Sequence, residues 1–112
     1  MKATPRRGDI CRVALDPAIG TEIQKTRPAV IVSNDSCNRC GMRVVVLPIT
    51  SNVTSLYPGE ARVTVRNKPG RVLGDQIRSI DKSRLRGCLG TLSQEQLRDV
   101  DDAIRITLGL SD

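Results

Sequence analysis

Two stretches decide the fold: Arg27-Pro28-Ala29-Val30-Ile31-Val32-Ser33 and, after a turn-rich gap, Met42-Arg43-Val44-Val45-Val46-Leu47-Pro48-Ile49-Thr50. Each is short and almost continuously apolar, the pattern of a strand covered on both faces. Pro28 suits the start of such a strand but not its interior, because proline has no N–H for the ladder. Each run also delivers a polar residue to one end. Arg27 opens the first, and Thr50, followed by Ser51-Asn52, closes the second. A guanidinium and a hydroxyl at strand ends are groups able to grip a phosphate.

The flanking sequence fills in a mainly β fold. Cys11, Val13 and Leu15 alternate with Arg12, Ala14 and Asp16, and Ala61, Val63 and Val65 alternate with Arg62, Thr64 and Arg66. Both have the period of a half-buried strand. Pro17 to Thr26 is polar and aperiodic, so it reads as a long mobile loop of the kind that carries function. Asn34 to Gly41 and Asn67-Lys68-Pro69-Gly70 read as turns, and Ser51 to Gly59 as a second loop. Val72 to Ile80 reads as a last strand, with Gly74 marking a bulge or a close approach. A helical turn is expected around Ser83-Arg84-Leu85. Ser93-Gln94-Glu95-Gln96 has the form of a capping box. Leu97, Val100, Ile104, Thr107 and Leu108 follow at helical spacing, and Gly109 is placed to cap the helix end. One domain over 1–112 is expected: about five strands in a strongly bent sheet or barrel, a helix over about 93–108, and a flexible basic tail over 1–6.

The 112 residues include no histidine, and Tyr57 is the only aromatic. An enzyme built from this chain must therefore work without imidazole. Its core must come from Val, Ile and Leu, which bury less area apiece than aromatic rings, so a partner surface would help and a homodimer is expected. The net charge of +6 favours polyanionic partners. No apolar stretch approaches the ~20 residues of a membrane span. The first residues lack the apolar core of a signal peptide. Those features predict a cytoplasmic protein with reduced thiols. Cys37-Asn38-Arg39-Cys40 has the spacing of a metal or redox pair, but a structural zinc site needs four ligands. Cys11 and Cys88 are isolated in sequence and no histidine can complete the set, so Cys37 and Cys40 are expected to be free loop thiols and Cys11 a core residue. No metal or cofactor is expected.

In this order the segments resemble the MazF/PemK family of toxin endoribonucleases. The resemblance rests on Arg7-Gly8-Asp9-Ile10, Leu15-Asp16-Pro17 with Gly20-Thr21-Glu22, Arg27-Pro28-Ala29-Val30-Ile31-Val32-Ser33-Asn34-Asp35, Leu47-Pro48-Ile49-Thr50, Asp75 through Leu85, and Gly90-x-Leu92. It implies an SH3-like barrel of about five to seven short strands with a C-terminal helix, assembled as a homodimer. It also implies metal-independent cleavage of single-stranded RNA at short sequences, restrained by a cognate acidic antitoxin. The family's catalytic arginine and threonine fall on Arg27 and Thr50, and its RNA-contacting residues on Thr21, Glu22 and Gln76. Asn52 joins them as a hydrogen-bonding candidate for base edges, since one tyrosine leaves little for stacking. Where many members carry an aromatic in the first loop, this chain has Ile19 and Ile23, which bears on the sequence cut rather than on the reaction.

The chemistry suits the residue types. In metal-free RNA cleavage the ribose 2′-hydroxyl attacks the adjacent phosphorus and gives a 2′,3′-cyclic phosphate and a 5′-hydroxyl. Arg27 can neutralise the five-coordinate phosphorane with paired hydrogen bonds, and Thr50 can add a donor. An arginine side chain stays protonated and is a poor base, so proton removal falls to Glu22 or to water. Two rivals share the fold: a gyrase-binding toxin and a non-catalytic RNA-binding barrel. A pure binder has no need of both Arg27 and Thr50 at one strand-end pocket.

Overall fold

A computed structural model describes residues 4–54 and 56–110. In it the chain forms β1 (Asp9–Ala14), β2 (Thr26–Ile31), α1 (Asp35–Cys40), β3 (Arg43–Thr50), β4 (Glu60–Val65), β5 (Lys68–Leu73), β6 (Arg78–Asp81), β7 (Leu85–Thr91) and α2 (Gln94–Leu108). The strands make one antiparallel sheet in the order β4-β5-β3-β2-β1-β7, with β6 also on β3. The sheet curls because β3 changes partner along its length. Arg43 to Val46 pair with β6, whereas Ile49 and Thr50 pair with β5. Pro48 falls in the gap between the two pairings, where that edge has no ladder to interrupt. The result is the SH3-like, mostly β architecture with a C-terminal helix.

Burial on both faces accounts for the continuous apolar runs. Ile10, Val30, Leu47 and Ile49 point toward α2 and pack with Val63, Val72, Val100 and Ala103. Cys11, Val13, Leu15, Ala29, Ile31, Val44, Val46 and Ile80 form a second cluster on the opposite face. Burying each such aliphatic side chain contributes about 1.5–3 kcal/mol before entropy is counted. Helix α2 starts as the sequence predicts, with Ser93 Oγ accepting from Gln96 N at 3.1 Å. It ends at Gly109, whose φ of 69° is the left-handed conformation of a C-cap. Ile106 and Leu108 nonetheless face outward. Among the described residues no helix is long and apolar enough to cross a membrane.

Several local expectations need correction. The turn-rich Asn34–Gly41 segment contains α1, nucleated by Asn34 Oδ1 accepting from Cys37 N at 2.8 Å. Asn38 in it is fully buried, its amide donating to Ser33 O at 2.9 Å and its carbonyl accepting from Ser33 Oγ. Cys37 and Cys40 are free and exposed, but on a helix rather than in a loop. Pro28 sits inside β2, opposite Arg12. It is tolerated because Thr26 to Pro28 pair with β1 alone, outside the stretch shared with β3. The β4–β5 turn is Arg66-Asn67, both with positive φ, so Lys68 to Gly70 belong to β5. Of the expected tail, residues 1–3 lie outside the described residues, and Arg6 is tied by its N–H to Asp9 Oδ2 at 2.9 Å. Ser55 in the second loop also lies outside them.

The expected last strand over Val72–Ile80 is two strands separated by a 3-10 turn at Gly74–Gln76. Gly74 marks a close approach, not a bulge. Its N–H donates to Gly59 O at 3.0 Å. A β-carbon there would stand 2.2 Å from Gly59 O and 2.6 Å from Thr107 Oγ1. Gly74→Ala should therefore force β5 and α2 apart and cost about 1–3 kcal/mol, the usual penalty of overpacking. A lowered urea midpoint at unchanged slope would show it, and an unchanged midpoint would contradict this packing.

Candidate active site at the ends of β2 and β3

Strand register brings Arg27 and Thr50 to the same end of one strand pair. Ala29, Val30 and Ile31 pair with Pro48, Leu47 and Val46. Continued for two residues, that register sets Arg27 across from Thr50. Alternation puts both on the face that carries Ala29, Ile31, Val44 and Val46. On its other side Arg27 is opposite Val13 of β1. Arg27 is exposed, with Nε donating to Gln24 O at 3.2 Å. Thr50 is half-buried, and its Oγ1 accepts from Asn52 N at 3.2 Å. As the acceptor in that bond, the hydroxyl keeps its own proton to donate. Arg71 of β5 stands opposite Thr50 and pairs with Glu60 at 3.7 Å.

A cleft of about 140 Å³ opens on the same face beside Pro48, with Glu22, Ile23, Asp75, Gln76 and Arg78 among its walls. It unites residues of the first loop with residues of the 3-10 turn and β6; Ile23 and Gln76, for example, are 53 positions apart in the chain. Gln76 Oε1 accepts from Ile23 N at 2.7 Å, so Gln76 holds the loop against the 3-10 turn. Glu22 Oε1 accepts from Ile19 N at 2.7 Å, closing a turn within the loop. Thr21 is exposed and lines no wall of this cleft. Asn52 is also outside it, with Oδ1 taken by Thr54 N and Thr54 Oγ1.

The loop expected to be mobile is fastened at its neck. Leu15 N donates to Lys25 O and Lys25 N to Asp16 Oδ1, each at 2.9 Å. Two arginines then clamp the same backbone from β6 and from the turn that follows it. Arg78 Nη1 donates to Leu15 O at 2.9 Å. Arg84 Nη1 donates to Ala14 O at 3.0 Å and to Asp16 O at 2.7 Å.

The model for PemK-like, MazF-like toxins of type II toxin–antitoxin systems matches residues 6–108. The chain belongs to this family. It is 39 % identical to endoribonuclease MazF9 of Mycobacterium tuberculosis, covering 94 % of this chain and 97 % of that protein. MazF from Deinococcus radiodurans superposes with a TM-score of 0.86 at 27 % identity, covering 97 % of this chain and 100 % of the other. A mycobacterial endoribonuclease solved in complex with its cognate antitoxin superposes at 0.81 and 26 % identity, covering 96 % and 98 %.

Around this candidate site stand four residues to which the sequence reading gave no role: Arg71, and Asp75, Arg78 and Arg84 of the stretch that carries the family resemblance. Strand spacing alone gave no hint of them, because their neighbours come from distant segments. By its alternating charges the Asp81-Lys82-Ser83-Arg84 run reads as a solvated turn with local ion pairs, and the structure corrects that reading. Instead Lys82 Nζ donates to Asn38 O, and Arg84 reaches the loop neck. Asp81 accepts from Ser83 N at 2.8 Å, which holds its carboxyl below the ordinary range. Among the described residues no three His, Cys, Asp or Glu side chains converge as metal ligands would.

Arg84→Ala should release the loop neck while sparing the core. Loss of a charged donor serving two carbonyls implies roughly tenfold or greater acceleration of amide exchange at Leu15 and Lys25. Hydrogen exchange followed by NMR tests this, with Val30 and Leu47 as unchanged references. Equal acceleration at those core amides would mean that Arg84 supports the whole fold and not the loop.

Proposed function

We propose that the chain is the toxin of a type II toxin–antitoxin pair and acts as a sequence-selective, metal-independent endoribonuclease on single-stranded RNA. One observation carries this reading: in a member of the PemK/MazF family, the register of β2 and β3 sets Arg27 and Thr50 at one strand end, beside a cleft walled by Glu22 and Gln76. The 39 %-identical relative with endoribonuclease in its name supports the same activity.

The reaction follows from the charges. The RNA 2′-hydroxyl attacks the neighbouring phosphorus, and the P–O5′ bond breaks to leave a 2′,3′-cyclic phosphate and a 5′-hydroxyl. Negative charge accumulates on the non-bridging oxygens as the phosphorane forms. Arg27 neutralises it with its guanidinium, and Thr50 donates its hydroxyl proton to the same oxygens. The 2′-hydroxyl proton goes to Glu22 or to water, and the departing 5′ oxygen takes up a proton from water. Thr21, Glu22, Asn52 and Gln76 read the flanking bases by hydrogen bonds. A homodimer supplies two such sites. An acidic antitoxin segment silences them by covering the basic surface and ordering or displacing the Pro17–Thr26 loop; that such a partner exists is supported by the mycobacterial neighbour solved with its cognate antitoxin.

Purified protein incubated with single-stranded RNA in EDTA should cut at defined sequences and leave 5′-hydroxyl ends, mapped by primer extension. Arg27→Ala should lower the rate by about 100-fold or more, as removal of one preorganised donor does in other enzymes, with an unchanged urea midpoint. Intact RNA would favour a gyrase-binding or a non-catalytic barrel. Undiminished cutting by Arg27→Ala would remove the role assigned to that residue.

A further inference from the structure

Cys11 and Cys88, isolated in sequence, are direct partners across β1 and β7. Residues opposite each other on antiparallel strands have Cα atoms about 4.5 or 5.5 Å apart and project from the same face. Both separations fall within the roughly 4.4–6.8 Å that a disulfide spans. Both thiols are free, and Cys88 Sγ donates to Gly90 O at 3.7 Å. The pairing is irregular on either side, with register shifts between Ile10 and Cys11 and between Cys11 and Val13. Such bulges give the backbone room to adjust. The two sulfurs are unequal. Cys11 is buried in the apolar cluster, whereas Cys88 is exposed on an edge strand. Burial, reinforced by Cys88 and Asp9, pushes the Cys11 thiol up to about 12.

We propose that Cys11 and Cys88 are an oxidisable dithiol, in which Cys88 reacts first with a peroxide and Cys11 resolves the product to a cross-strand disulfide. The Cys88 thiolate attacks one peroxide oxygen, the O–O bond breaks, and the departing oxygen leaves as water. Cys88 is then a sulfenic acid. The Cys11 sulfur attacks the Cys88 sulfur, an S–S bond replaces the S–O bond, and hydroxide departs with the Cys11 proton as a second water. Two thiols lose two hydrogens, and one peroxide becomes two waters. The thiolate is the form that attacks, so the buried Cys11, held protonated, does not take the first step, and its sulfur attacks Cys88 only as its proton leaves with the displaced hydroxide. The bond would make β7, an edge strand with irregular pairing, covalently part of the sheet. Neither step depends on RNA cleavage.

The test is mild hydrogen peroxide treatment of the full chain, alkylation of remaining thiols, and non-reducing peptide mapping by mass spectrometry. The expected product is a monomer with one Cys11–Cys88 link, two hydrogens lighter, reversed by dithiothreitol and raised in urea midpoint. The Cys37→Ser/Cys40→Ser variant should retain the link. Cys88→Ser, a change at an exposed position, should leave Cys11 a free thiol under the same treatment. Oxidation of Cys88 to sulfinic acid with Cys11 still free would overturn the proposal. So would a product in which either residue is joined to Cys37, to Cys40 or to another molecule. An unshifted urea midpoint of the linked protein would overturn the stapling of β7.

Discussion

The structure depends on β3 serving different partners along one edge. Through Val46 it belongs to the ladder with β6, and from Ile49 to the ladder with β5. Its other edge is held by β2 across Val46, Leu47 and Pro48. A strand in that position is buried on both faces, so it cannot alternate, and the sheet must bend around it. Bending divides the core into two clusters, one beneath α2 and one on the opposite face. The candidate site then falls where the β2–β3 ladder ends, with Thr50 and Arg27 each two residues past the shared pairing. The position proposed for the chemistry is thus a consequence of where the hydrophobic ladder stops.

Much of this was legible in the sequence, for identifiable reasons. Central strands announce themselves by continuous burial, and β2 and β3 do so at Ala29–Ile31 and Val44–Ile49. Helix α2 was legible at both ends, since Ser93 stands three residues before Gln96 and Gly109 follows the last apolar position, the placements of an N-cap and a C-cap. What stayed hidden had weak local signals or non-local causes. Strand β7 contains Gly87 and Gly90, both at positive φ, which lower its β propensity and distort its pairing with β1. Helix α1 is one turn and a half long and is set by a cap from Asn34 and the buried amide of Asn38. Its polar sequence resembles a turn, because Asn, Asp and Ser serve both structures. The Cys11–Cys88 pairing and the Arg84 clamp join residues more than 60 positions apart, and no spacing rule reaches that far.

Under the proposed reaction, the candidate site divides its labour between rigid and adaptable parts. The backbones of Arg27 and Thr50 are fixed by their strand pairings, to Val13 and to Arg71, and Arg27 Nε is held to Gln24 O. Glu22 and Gln76 come together through a loop, and the hydrogen bond from Ile23 N to Gln76 Oε1 ties that loop to the 3-10 turn after β5. Charge neutralisation needs the first kind of placement, since preorganised donors avoid reorganisation in the transition state. Base selection tolerates the second, because loop residues can change without moving the strands. Ile19 and Ile23 are changes of that type: they alter the surface offered to a base and leave Arg27 where it is.

Clamping the loop neck by Arg78 and Arg84 connects the two parts. Both guanidiniums donate to backbone carbonyls of Ala14, Leu15 and Asp16, so the clamp does not depend on the side chains it holds. Those residues lie at the end of β1, which pairs with β2 at Val13 and Arg27. Displacement of the neck is therefore felt at two places, the loop wall of the cleft and the strand that positions Arg27. A partner that lifts the loop need not touch Arg27 to disturb it, because the backbone of β1 carries the displacement across one ladder spacing. Under the proposed reaction, in which no histidine is available and Arg27 neutralises the phosphorane, misplacing that cation would remove the main charge stabilisation of the transition state.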